Sequence, residues 1–234
     1  VRSRLQVLRK KENTLRSIRT LIAIVVLIAI AGSTAYAGKT SFGIKTGLNM
    51  SNASDVPESW EDSIEWKTGL TGGVFVNHAL SDNFSLQPEL LYTQKGFGGS
   101  LLEDVVELTL SLGYFELPIL AKYAFSAGKK FRPTLFAGPT FAYCSSSELT
   151  FSTWIFSADV DFSSLTHVTD FGVVLGGGFD YEAGEGTLIV DARFTYNFTK
   201  VIMSGDFEIN GDTETIEADN FTNYGLSLTL GYAF

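Results

Sequence analysis

Two histidines, His78 and His167, are the imidazoles this sequence offers to acid–base chemistry. His167 stands three residues before Asp170 and just after Ser163, Ser164 and Thr166, so the letters of a Ser-His-Asp set are present. A triad is defined by geometry, not by proximity in a list, and a Ser-rich stretch offers these letters by chance. No catalytic residue is expected, and the chain does not read as an enzyme. A second pattern is sharper. Asp206, Glu208, Asn210, Gly211, Asp212 and Glu217 reproduce the spacing of a calcium loop. Glu208 replaces the usual Asp, and no helical pattern flanks the loop. Calcium is therefore the only cofactor the sequence suggests, against the plainer reading of a solvated acidic loop. Cys144 is the sole cysteine, which excludes an internal disulfide and suits a small residue lining a narrow interior.

Ten further charges share a different environment. Lys45, Lys95, Lys122, Arg132 and Arg193 balance Glu89, Glu116, Asp170, Asp180 and Asp191. Each lies among Gly, Ser and Thr on one face of an alternating segment. Eight such segments can be counted: 42–50, 69–80, 84–95, 114–125, 131–144, 170–181, 188–198 and 223–234. The last two are the cleanest. Tyr224, Leu226, Leu228, Leu230, Tyr232 and Phe234 oppose Asn223, Gly225, Ser227, Thr229, Gly231 and Ala233. Period two puts these sets on opposite faces of a strand. Short polar turns near 81–83, 126–130 and 182–186 alternate with long connections near 51–68, 96–113, 145–169 and 199–222. Alternation persists at Leu108 to Leu112 and at Leu149 to Phe162, so those hairpins should extend above the membrane. Pro88, Pro118, Pro133 and Pro139 fall inside strands, where local bulges are expected.

The pattern predicts an all-β fold, an eight-stranded antiparallel up-and-down transmembrane β-barrel. Segments of about ten residues suit tilted strands crossing a bilayer, and a closed barrel hides the apolar edge that a final strand ending on Phe234 would otherwise expose. Which face meets lipid is decided by the aromatics. Phe42, Phe84, Phe125, Phe131, Tyr181 and Phe234 mark one end of the apolar face, and Tyr92, Phe115, Tyr143, Phe171, Phe198 and Tyr224 mark the other. Two aromatic rings about an aliphatic band are interface girdles. The small, charge-balanced face should then line a closed lumen, where unpaired charges would be expensive. His78 falls on the lipid-facing register.

Residues 1–37 read as a signal peptide, with seven Lys/Arg against Glu12, a short apolar run from Leu21 to Ala31 and an Ala-Tyr-Ala site ending at Ala37. Residues 38–234 form the barrel domain. The whole chain carries a net charge of −9. Loss of seven bases and one acid from 17 and 26 leaves 10 and 25, a net charge of −15. That excess disfavours nucleic acid as a partner. Most acids lie in the long connections, among them Asp55, Glu58, Glu61, Asp62 and Glu65 in the first. Trp60, Trp66 and Trp154 lie there too, and suggest contact with an extracellular protein or glycan, or packing of one loop on another.

Gln87-Pro88-Glu89-Leu90-Leu91-Tyr92 with Lys95-Gly96, then Tyr114-Phe115-Glu116-Leu117-Pro118-Ile119-Leu120-Ala121-Lys122-Tyr123, then Pro133 to Pro139, resemble the PorT-like outer-membrane β-barrel domain proteins, usually labelled porin-family. The resemblance covers nearly all of 38–234. It implies an eight-stranded barrel in the outer membrane of a Gram-negative cell and carries no activity with it. The expected function is structural or surface-interacting, with a polar plugged lumen and acidic extracellular loops. A narrow porin or transporter for small solutes is the alternative, and an outer-membrane enzyme stands third. The expected partners are outer-membrane lipid, an extracellular protein or glycan, and the barrel-assembly machinery through the C-terminal strand.

Overall fold

The computed structural model describes residues 40–54, 64–101, 106–125, 129–152, 157–161, 169–199, 201–209 and 212–234. Residues 1–37, predicted from sequence to be a signal peptide, lie outside them. The strands are β1 (Thr40–Ser54), β2 (Ile64–Ala79), β3 (Phe84–Leu101), β4 (Val106–Ala124), β5 (Phe131–Ser152), β6 (Ser157–Asp161), β7 (Thr169–Ala183), β8 (Gly186–Asn197), β9 (Val201–Ile209) and β10 (Asp212–Ala233). Among the described residues there is no helix long and apolar enough to cross a membrane.

Eight of these strands close a barrel. Antiparallel pairing runs β1-β2-β3-β4-β5-β7-β8-β10, and β10 returns to β1 from Gly43↔Ala233 to Ser54↔Thr222. Two strands lie outside the eight alternating segments, within stretches the sequence presents as connections. β6 pairs with the far half of β5, and β9 with the first half of β10. The β3–β4 ladder likewise runs on to Leu101↔Val106. The long-loop end of the barrel is therefore a set of hairpins rising from the wall.

The two faces separate as the alternation requires. Phe42 is 62% exposed and Leu228 58%, whereas their inward neighbours Lys45 and Thr229 are 4% and 3% exposed. The apolar face is the outer one, the inverse of a soluble barrel.

The prolines do not produce the expected bulges. Pro133 and Pro139 sit inside an unbroken register with β7, from Phe131↔Tyr181 to Tyr143↔Thr169. Around Pro88 and Pro118 the β3–β4 ladder omits two pairs, yet Pro88↔Ile119 and Leu91↔Glu116 share one register. An antiparallel residue donates its N–H to one neighbour only, so a proline breaks one bond and leaves the other side intact. A one-residue slip would instead turn every lumen side chain toward the outside. The register shifts fall elsewhere, between Trp66 and Thr71, Gly113 and Tyr114, and Ala218 and Phe221.

At the short-turn end, Ala183 pairs directly with Gly186 across a two-residue turn. Gly184 holds φ at +67° there, with nothing within 4 Å of where a Cβ would stand. Gly184→Ala should thus cost only the left-handed backbone penalty, about 1–2 kcal/mol. Urea unfolding of the reconstituted variant would measure it.

Candidate functional site: the charged lumen

The inward face of eight strands brings the ten sequence-predicted charges into the lumen, but at three separate levels. Midway along the barrel, Lys45 Nζ donates to Glu89 Oε1 at 2.7 Å and to Asp191 Oδ2 at 3.0 Å. Arg193 Nη1 donates to Glu89 Oε2 at 2.7 Å, and its Nη2 to Asp191 Oδ2 at 3.3 Å. All four are nearly fully buried. Gln87 Nε2 adds a bond to Glu89 Oε1 at 2.7 Å, and Asn77 Nδ2 supports Gln87 at 2.9 Å. Two cations against two carboxylates leave this level neutral.

Toward the long loops, Lys95 Nζ meets Glu116 Oε1 at 2.6 Å, and Thr93 donates to Glu116 Oε2 at 2.7 Å. Asp170 is at the same end, fully buried, bonded by the Asn197 amide and without an ion-pair partner among the described residues. Lys95, Glu116 and Asp170 leave this level with one negative charge. Toward the short turns, Lys122 Nζ donates to Asp180 Oδ1 at 2.7 Å. Arg132 lies opposite Asp180 in the β5–β7 register but makes no ion pair among the described residues, and its Nε is buried without a partner. Lys122, Arg132 and Asp180 leave one positive charge. The ten charges cancel overall and not level by level.

The polar lumen foreseen from sequence omits a second population. Phe75, Leu91, Leu120, Phe136, Val174 and Ile189 also point inward and are buried. They pack between the charged levels and under the cations. Lys45 stands 5.0 Å from the Phe75 ring centre, Arg193 5.5 Å from Phe136, and Lys95 5.1 Å from Tyr114. A desolvated cation gains from such a ring face. Glycines make the room, since a Cβ at Gly43 would lie 2.2 Å from the Phe75 ring and one at Gly176 2.4 Å from Phe136. At the long-loop end, Ala53, Leu110, Leu112, Tyr114, Ala142, Cys144 and Phe221 form an apolar cluster inside the barrel. The Cys144 thiol is buried there and donates to the Ser146 carbonyl at 3.3 Å.

Outside, Phe42, Phe84, Phe125, Phe131, Tyr181 and Phe234 are exposed around the short-turn end, and Tyr92, Phe115, Phe171 and Phe198 around the other. Tyr143 and Tyr224 are half-buried. Tyr224 meets Trp66 edge-on at 5.3 Å, so one of the loop tryptophans packs on the girdle. Tyr123 joins the lower ring beside Phe84 and Phe125, and Tyr196 the upper ring beside Phe198. The same alternation that marks their neighbours marks these two as well.

The remaining candidates fall only in part within the described residues. His78 is on the outer face, its Nδ1 2.9 Å from Thr40 Oγ1. His167 with Ser163, Ser164 and Thr166, Trp60 and Trp154, and the acids of 55–62 lie outside the described residues. Of the calcium-type spacing, Asp206 and Glu208 belong to β9, opposite Thr215 and Thr213, while Asp212 and Glu217 belong to β10. Asn210 and Gly211 lie outside the described residues.

Residues 33–203 match the family described as outer membrane protein beta-barrel domain. No curated protein matches. Among solved structures, the outer membrane protein OprG from Pseudomonas aeruginosa superposes with a TM-score of 0.50 at 14% identity, over 84% of this chain and 97% of that one. Neisserial surface protein A gives 0.43 at 15% identity, over 84% and 99%. Ail, the attachment invasion locus protein of Yersinia pestis, crystallised with the heparin analogue sucrose octasulfate, gives 0.42 at 12%, over 84% and 99%. Such identities speak to fold alone.

Proposed function

Because this chain belongs to the outer membrane protein beta-barrel domain family and lies in the outer membrane, we propose that it serves there as a plugged scaffold. On this reading its wall anchors in lipid, and its acidic long loops are offered to a protein or glycan outside the cell. The observation that carries the reading is the Lys45–Glu89–Asp191–Arg193 quartet, which bridges β1, β3 and β8 across the middle of the lumen. An eight-stranded barrel has an interior only wide enough for side chains, and four ion-paired side chains with Phe75 and Phe136 occupy it. Short turns face the periplasm and long loops the outside in outer-membrane barrels, which gives the loops their surface role. The assembly machinery would engage β10. Catalysis has no part in this reading.

Planar-bilayer recording of the purified barrel tests it. The expected trace stays at the bare-bilayer baseline. Stable, reproducible single-channel steps would replace the plug with a narrow pore for small solutes.

A further inference from the structure

We infer that the short-turn mouth of the barrel is a binding pocket for a single carboxylate group, with Arg132 as the residue that receives it. The mouth is a cavity of about 100 Å³ lined by Lys122, Arg132 and Asp180, with Ser41, Asn77 and Thr187 among the polar groups around them. That is several times the room one water needs. Lys122 and Asp180 satisfy each other at 2.7 Å. Arg132 does not share in that pair, although Asp180 is its cross-strand neighbour. A guanidinium left without a carboxylate beside a built ion pair is a ready receptor, because its planar fork matches a carboxylate in two parallel bonds.

The ligand class follows from the local charge. Inside the mouth Lys122 and Arg132 against Asp180 leave one positive charge, and Asp82 at the exposed rim brings the whole lining to neutral, so a monoanion is the most that Arg132 can receive. Asp82 at the exposed rim and Asp180 in the wall both line the cavity and oppose a phosphate dianion. Access is one-sided. The opposite end of the lumen holds the apolar cluster around Leu112 and Tyr114, and the neutral quartet lies between. The ligand therefore arrives from the side of the short turns, the periplasm in such barrels. The proposal goes beyond the scaffold reading: its one-sided access rests on the plugged lumen, whereas carboxylate binding at Arg132 does not.

Solution NMR of the intact chain in micelles tests it, following the Arg132 Nε–H resonance, and in the variants the backbone amides of Asp180 and Thr187 at the mouth, during titration with sodium acetate against sodium chloride. A saturable shift is expected with acetate and with N-acetylalanine, and none with N-acetylalaninamide. Tighter binding of N-acetylalanine than acetate identifies a peptide chain end as the source; equal binding identifies small carboxylates. In Arg132→Gln the acetate affinity should fall at least about tenfold, and Arg132→Lys should fall between, keeping the charge and losing the fork. Unchanged strand amide resonances show that the variants are folded. Three outcomes overturn the inference: no saturable shift, equal shifts with the amide, or inorganic phosphate binding as tightly as acetate. Arg132→Gln binding acetate like the unaltered chain would overturn it too.

Discussion

Arg193→Ala should lower the stability of the folded barrel by about 3–5 kcal/mol, the cost of breaking a buried ion pair from one side. Arg193 bonds Glu89 at 2.7 Å and Asp191 at 3.3 Å, all three being nearly inaccessible. Its removal leaves Lys45 alone against two carboxylates, and leaves the face of Phe136 without its cation. The shift of the urea midpoint in lipid or detergent measures the loss. The paired variant Arg193→Met with Glu89→Gln should cost less than Arg193→Ala alone, because one positive and one negative charge leave together and Lys45 keeps Asp191. A loss below about 1 kcal/mol, the size of a solvated pair, would mean that water fills the lumen, and would revive a transport role.

The second large effect is on the other face. Leu228→Arg should cost about 2–4 kcal/mol in a bilayer, as a cation does at midplane on a barrel exterior. Leu228 is 58% exposed, opposite Leu48 in the β1–β10 pairing and between the two aromatic rings. Phe234→Arg, at the short-turn rim, should cost only about 0–1 kcal/mol, because a long cationic side chain there reaches water. Unfolding from bilayers of defined thickness gives both values. Equal costs at the two positions would show that this face does not lie in hydrocarbon.

The contrast between these two faces also explains what could be read from sequence. Along β8 and the 223–233 part of β10 the outer face is apolar and the inner face, Ile189 apart, small or polar, so Arg193 and Leu228 declare their sides by alternation alone. Phe75, Leu120 and Phe136 do not, because a lumen-facing apolar residue between lipid-facing ones looks like an unbroken buried strand. The pairings were hidden for a different reason. Lys45 meets Asp191 across the barrel, 146 residues away, and that contact depends on register around the whole wall. The ten charges were recognisable as one balanced set, but their grouping into levels of +1, 0 and −1 is a property of strand stagger. β6 falls in the Leu149 to Phe162 stretch whose alternation extends the β5 hairpin, whereas β9 shows too short an alternation among loop residues, where only pairing with β10 reveals a strand. The prolines misled in the other direction, since face alternation holds the register more strongly than one missing donor disturbs it.

The seam between β1 and β10 joins residues about 170–190 positions apart. Until that seam forms, β1 has one partner instead of two, and the lumen charges have neither walls nor counter-ions. Half of this molecule is not a smaller version of it. The closure entropy of nearly the whole chain must be overcome before the most distant contacts repay it, so maturation is a single late commitment. Export must deliver both terminal strands before either is safe. Loss of β10 would leave no shortened barrel, only an open sheet with two adhesive margins in the periplasm.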